Sequence, residues 1–193
     1  MITQAGGYAD WYKAALQASF LLAFVVLAPW VGRFADEHAK GRVLTVGNAL
    51  KAGGAFLLLV GVDPLLAYGV VGVGAAVYGP AKYGILPDLV SHERLVKANG
   101  WIEGSTVVAI LLGAVVGAHV ADRSIGWALT LVAAAYLLSL IATLFIPPTA
   151  TAARDPRPAL VQFVRRMSGF FATSRARFSM LGAAIFWATA VVL

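Results

Sequence analysis

The chain has no cysteine among its 193 residues, and only 12% of them are Asp, Glu, Lys or Arg. Without cysteine there is no disulfide scaffold, no thiolate metal site and no cysteine nucleophile. An average soluble domain carries about 25% charged residues. At half that level there is too little polar surface to wrap a core in water, which argues against an ordinary soluble enzyme. Acidic residues are the scarcer sign, nine against fifteen basic ones, for a net charge of +6. That excess does not point to nucleic acid, because the basic residues cluster between apolar blocks. The first residues, MITQAGGYADWYK, include no basic n-region, and the apolar block that follows is longer than a signal-peptide core.

Other chemistry is missing too. His38, His92 and His119 are scattered without metal-ligand spacing, so no metal is expected. Gly72-Val-Gly74 follows no strand pattern and has no suitably placed acidic residue downstream, so it is no nucleotide fingerprint. Ser105 and Thr106 have no evident base and orienting partner. No catalytic residue and no cofactor are expected.

What remains is apolar sequence. Hydrophobic residues make up 60% of the chain and the mean hydropathy is +0.81. Twenty Gly and eight Pro sit in or beside the apolar runs, a mixture that suits membrane helices better than soluble ones. A span needs about 20 residues. Five blocks meet that length: about Tyr12–Gly32, Val43–Val62, Leu65–Leu86, Asn99–Ala121 and Ile125–Ile146. Asp63-Pro64 closes the second, Pro80 and Pro87 mark an irregular end to the third, Asp122-Arg123-Ser124 closes the fourth and Pro147-Pro148 the fifth. After the polar linker TATAARDPRP, Leu160, Phe163, Val164, Met167, Phe170 and Phe171 recur at helical spacing beside Arg165 and Arg166. This reads as an interfacial amphipathic helix with its basic face toward anionic headgroups. A soluble linker helix is the alternative. A last apolar block starts at Phe178 and reaches Leu193.

Alternate loops hold twelve of the fifteen basic residues: Arg33, Lys40 and Arg42; Lys82, Arg94 and Lys97; Arg154, Arg157, Arg165, Arg166, Arg175 and Arg177. The positive-inside rule places that side in the cytoplasm and the N-terminal end outside. An N-out start is simplest to explain if one more helix precedes Met1. That gives six spans, a basic cytoplasmic linker and the start of a seventh, which is the layout of the major facilitator fold.

The turn between the first two blocks reads Gly32-Arg-Phe-Ala-Asp36-Glu-His-Ala-Lys40-Gly41-Arg42. It resembles the facilitator loop motif G-x-x-x-D-R/K-x-G-R-R/K, with Glu37 where a basic residue is usual and Ala39 in place of the inner Gly. On that reading Gly32 permits close helix approach. Asp36 sits at the end of one helix and pairs across to a neighbouring bundle, and Lys40 and Arg42 face Asp36 or lipid phosphates. Together they form a cytoplasmic gate. A plain positive-inside loop is the alternative.

A charge at the bilayer centre costs about 2.5–3.5 kcal/mol on insertion scales, so intramembrane charges are paired or line a wet cavity. Asn48 and Lys51 share one helix face, as do Asn99 and Glu103. These four are candidates for a polar cavity that meets a headgroup or ion. Interhelical hydrogen bonding or snorkelling is the alternative, and it is preferred for Lys82, near a helix end. Gly113-x-x-x-Gly117 and the Gly69/Gly72/Gly74 cluster are expected to serve helix packing.

The run Gly79-Pro80-Ala81-Lys82-Tyr83-Gly84-Ile85-Leu86-Pro87-Asp88-Leu89 is distinctive. So are Leu95-Val96-Lys97-Ala98-Asn99-Gly100 and Ile102-Glu103-Gly104-Ser105-Thr106. With Ala39-Lys40-Gly41-Arg42-Val43 and Asn48-Ala-Leu-Lys51, they resemble the bacterial lysophospholipid transporter family, a branch of the major facilitator superfamily. Pro80, Lys82, Tyr83 and Gly84 carry the family motif.

The resemblance implies an all-α integral membrane protein, a partial facilitator bundle. Residues 1–148 form spans of the N-terminal half-bundle, 149–176 the basic cytoplasmic linker and 177–193 the start of the C-terminal half. It implies movement of lysophospholipids, chiefly lysophosphatidylethanolamine, across the bacterial inner membrane to the cytoplasmic leaflet. The implied partners are membrane lipids, the lysophospholipid and an acyltransferase/acyl carrier protein synthetase that re-acylates it, separate or fused. The family's first helix has no counterpart before Tyr12, and the second half-bundle is not in this sequence. A fragment that does not transport alone is therefore expected. A permease for another small solute or drug, and a non-transporting scaffold for the acyltransferase, are the competing readings.

Overall fold

A lipid interior offers no water to exposed N–H and C=O groups, so a chain with this composition satisfies them within helices. The computed structural model describes residues 10–149, 151 and 156–192, with side chains for 11–149, 151 and 156–185. The expected basic residue Arg154 lies outside the described residues, as do residues 1–9. Among the described residues there are eight α-helices and one 3-10 turn, and no strand. They are α1 (Asp10–Glu37), α2 (Lys40–Leu59), α3 (Pro64–Gly84), α4 (Leu86–Leu89), α5 (Leu95–Arg123), α6 (Ile125–Thr143), α7 (Ala159–Ala172) and α8 (Ser174–Val192), with the 3-10 turn at His92–Arg94. Helices α1, α2, α3, α5 and α6 are long and apolar enough to cross a membrane. They coincide with the five expected blocks.

Local chemistry sets the boundaries. Helix α2 ends in a Schellman motif: Val62 N–H donates to Leu57 O at 3.0 Å and Gly61 N–H to Leu58 O at 3.2 Å. Gly61 has φ +79°, which glycine adopts without steric cost. Asp63 then caps α3, its carboxylate accepting from Leu65 N–H at 2.9 Å, with Pro64 in the first helical position. Ser124 ends α5 and caps α6, accepting from Trp127 N–H at 3.4 Å. Pro80 departs from expectation. It lies inside α3, which continues to Gly84. Proline costs one helical hydrogen bond, and membrane helices tolerate it where neighbouring groups take over. Pro87 does stand at a break, in the first turn of the short α4.

The chain divides into two compact units, Met1–Arg154 and Asp155–Leu193. In the first, α3 packs on α1 and α2, and α2 packs on α6. Glycines allow the closest approaches. A Cβ at Gly74 would stand 2.7 Å from Gly47 O, and one at Gly54 only 2.6 Å from Val71 Cγ2. A Cβ at Gly72 would meet the Phe20 backbone at 2.9 Å. So Gly72 and Gly74 pack as expected. Gly69, Gly113 and Gly117 do not, because a Cβ at each finds nothing within 4 Å. Those three project from helix faces that no described neighbour covers. Val31, Ala35, Val43, Leu44, Val77, Ala81 and Ile85 form the core, at the end of the bundle where α1 turns into α2.

In the second unit, α7 bears the expected stripe, with Leu160, Val164, Phe170 and Phe171 exposed on it. Gln162 Nε2 donates to Arg157 O at 2.8 Å at its start. Arg157, Arg165, Arg166 and Phe170 line an open cavity of about 560 Å³. Arg175 and Arg177 fall in α8, which starts at Ser174, ahead of the expected Phe178.

Candidate functional site

The last turn of α3 meets α5 through two polar pairs. Lys82 Nζ donates to Thr106 Oγ1 at 2.8 Å, and Tyr83 OH donates to Glu103 Oε1 at 2.6 Å. The donors are adjacent in sequence and the acceptors are three apart on one face of α5, so the pairs lie side by side. Thr106 Oγ1 also donates to Ile102 O at 2.7 Å, leaving its lone pairs for the ammonium. The Lys82 ammonium lies 5.3 Å from the Tyr83 ring centroid. The short α4 and the 3-10 turn connect α3 to α5, and these residues meet close to that connection. An ammonium and a carboxylate thus stand on one interhelical seam, each held by a neutral hydroxyl. Asn99, expected beside Glu103, instead donates to Leu95 O of its own helix at 3.0 Å and is exposed.

A second polar seam joins α2 to α6. Thr45 Oγ1 donates to Thr143 Oγ1 at 3.1 Å. Asn48 Nδ2 donates to Ser139 Oγ at 2.9 Å and Ser139 O at 3.2 Å. Lys51 Nζ lies 3.8 Å from the Tyr78 ring centroid and 5.4 Å from that of Tyr136. Positions 45, 48 and 51 ascend as 143, 139 and 136 descend, the register of antiparallel helices. Asn48 is fully buried, and its Oδ1 has no hydrogen-bond partner among the described residues. For Asn48 the geometry gives the interhelical hydrogen bond. Lys51 is held by aromatic faces, not by a carboxylate.

The turn between α1 and α2 is a compact charged knot. Arg33 Nε and Glu37 Oε1 pair at 2.7 Å along α1, so the Glu at the motif's usual basic position has a cation one turn back. Lys40 Nζ reaches Asp36 Oδ1 at 3.6 Å and donates to Ala35 O. The Lys40 stem runs past Gly84, where a Cβ would meet its Cε at 3.5 Å. The Lys40 backbone N–H donates to Thr149 Oγ1 at 2.8 Å, so a residue beyond α6 caps α2. Arg42 is exposed. A Cβ added at Gly32 would meet no described residue within 4 Å. Gly41 is the close approach in this turn, since a Cβ added there would lie 3.3 Å from Ile146 Cγ2.

Thr45, Tyr78, Tyr136, Ser139, Thr143 and Thr149 were not singled out from the sequence. The available signal was polar residues at helical spacing in both α2 and α6. No three His, Asp or Glu side chains cluster as metal ligands among the described residues.

Membrane-length helices, glycine-mediated close packing and a charged knot after the first span define a polytopic helical membrane bundle. The Major Facilitator Superfamily model matches residues 7–193, and the chain belongs to that superfamily. Over 190 residues, 96% of this chain and 47% of the relative, it is 46% identical to the lysophospholipid transporter LplT of Yersinia enterocolitica serotype O:8. The same identity and coverage hold for the proteins of that name in Yersinia pestis (strain Pestoides F) and Yersinia pseudotuberculosis serotype O:3. The chain spans about half the length of these relatives.

Proposed function

We propose that the protein containing this chain moves lysophospholipids across a bacterial inner membrane, and that the α3–α5 seam receives the headgroup. The observation that carries this reading is the side-by-side pairing of Lys82 with Thr106 and Tyr83 with Glu103, in a chain 46% identical to transporters of that substrate class. A zwitterionic headgroup offers an anionic phosphodiester and an ammonium. The phosphodiester replaces Thr106 at Lys82, and the ammonium replaces the Tyr83 hydroxyl at Glu103. In the exchange each charge trades a neutral hydroxyl for an opposite charge, which offsets the desolvation cost of moving a zwitterion through apolar surroundings. The acyl tail stays against the apolar helix faces.

On this reading the Asp36–Lys40 knot is the cytoplasmic gate. The Lys40 side chain runs beside Gly84, next to Tyr83, so the gate lies close to the headgroup seam. The basic loops lie in the cytoplasm, where an acyltransferase receives the product. Asn48 and Lys51 fix α2 to its neighbours and do not contact the headgroup.

The test is lysophosphatidylethanolamine uptake in cells lacking their own lysophospholipid transporter, complemented with the natural reading frame that encodes this chain. Lys82→Gln and Glu103→Gln should each abolish uptake while membrane insertion is unchanged. Normal uptake by both variants would refute the seam as the headgroup site. Acyltransferase recruitment without any lysolipid uptake by the wild type would favour the scaffold reading. A changed drug resistance without lysolipid uptake would favour a permease for another solute.

A further inference from the structure

Helix α5 has a second polar feature on the side opposite Glu103 and Thr106. Val90, Arg94, Lys97, Ala98 and Trp101 line an open groove of about 510 Å³ at its start. Arg94 and Lys97 are exposed, and neither side chain has a hydrogen bond or ion pair among the described residues. The nearby acids, Asp88 and Glu93, are exposed and do not line the groove. No acidic residue stands in the first turn of α5 to offset the two cations. Two uncompensated cations one turn apart contribute nothing evident to folding.

Positions 94, 97, 101, 108, 112 and 115 fall on a single helical stripe. Along it, with exposed Ser105 between Trp101 and Val108, the chemistry changes from two cations to an indole and then to aliphatic side chains. Trp101 is 72% exposed, and Val108, Leu112 and Val115 are 55%, 60% and 70% exposed. Tryptophan favours the headgroup level of a bilayer. Charge, interface and hydrocarbon thus follow one another in the order of a phospholipid's own headgroup, glycerol region and acyl chain.

We propose that this groove is a binding site for an intact anionic phospholipid, with its phosphate between Arg94 and Lys97, its glycerol region against Trp101 and an acyl chain along Val108, Leu112 and Val115. The site is separate from the α3–α5 seam and does not depend on the function proposed for it. The occupant is a lipid and not free phosphate, because the cations alone would suffice for phosphate and the stripe below them would be idle.

The experiment is native mass spectrometry of the full chain released from nanodiscs containing phosphatidylglycerol and phosphatidylcholine. Wild type should retain phosphatidylglycerol selectively. Arg94→Ala/Lys97→Ala should lower that retention by about thirtyfold, from roughly 1 kcal/mol per basic residue at an anionic surface. Arg123→Ala, which removes a cation at the other end of α5, should leave it unchanged. The charge-conserving Arg94→Lys/Lys97→Arg should retain the lipid.

A second measurement needs no charge variant. Brominated phosphatidylglycerol should quench the fluorescence that is lost in Trp101→Phe more strongly than brominated phosphatidylcholine does. Equal quenching by the two lipids would overturn the proposal. So would equal loss of lipid in Arg123→Ala, or displacement of phosphatidylglycerol by inorganic phosphate at matched concentration.

Discussion

The ammonium of Lys51 lies 3.8 Å from the ring centroid of Tyr78, across the contact between α2 and α3. Tyr78 stands one helical turn before Lys82, so the aromatic face that holds one lysine lies on the element that presents the other. A cation over a desolvated aromatic face is worth up to about 2 kcal/mol. Tyr78→Leu should therefore lower the apparent unfolding temperature of the chain in detergent, while Tyr78→Phe, which keeps a π face, should lower it less. Equal losses would mean that the ring matters only as volume.

Close approach makes a sharper prediction. Beside Gly74, the nearest atoms to an added Cβ are backbone, Gly47 O at 2.7 Å and Lys51 N at 2.8 Å. Backbone cannot swing away as a side chain can. Gly74→Ala should destabilise the chain by roughly 1–3 kcal/mol, the usual cost of overpacking. Gly113→Ala and Gly117→Ala should not, since a Cβ at either meets nothing within 4 Å. Denaturant titration of the three variants in micelles checks the contrast.

The Asn48–Ser139 contact should show measurable but modest coupling. Interhelical hydrogen bonds in membranes average about 0.6 kcal/mol and reach about 1.7 kcal/mol in double-mutant cycles. A cycle of Asn48→Ala and Ser139→Ala should fall in that range. A value of zero would show that burial, and not the hydrogen bond, is what the pair contributes.

Thr149 caps α2 from beyond α6. Thr149→Val keeps the shape and removes the acceptor, which should cost about 1 kcal/mol, as for an N-cap deletion. Hydrogen exchange should rise at the first turn of α2, with Lys40 N–H leading. Lys40→Met should leave that exchange unchanged, because the bond to Thr149 uses the backbone.

Much of this protein was legible from its sequence. The length of each apolar run fixed five spans, because the bilayer sets a minimum helix length and charge is excluded from the middle. The Leu160–Phe171 stripe fixed α7, since helical periodicity is a local property. The loop motif and the Lys82-Tyr83 run pointed to the superfamily.

Tertiary structure decided which faces meet. Asn48 and Ser139 are 91 residues apart, Lys40 and Thr149 are 109 apart, and Lys82 and Thr106 are 24 apart. Whether a polar residue in a span meets lipid, a cavity or a partner depends on how its helix is rotated about its axis. That rotation is set by packing: Gly47 against Gly74, Gly72 against Phe20 and Gly41 against Ile146. Gly32, Gly113 and Gly117 have the same side chain and none of those contacts, because glycine permits close approach without specifying it.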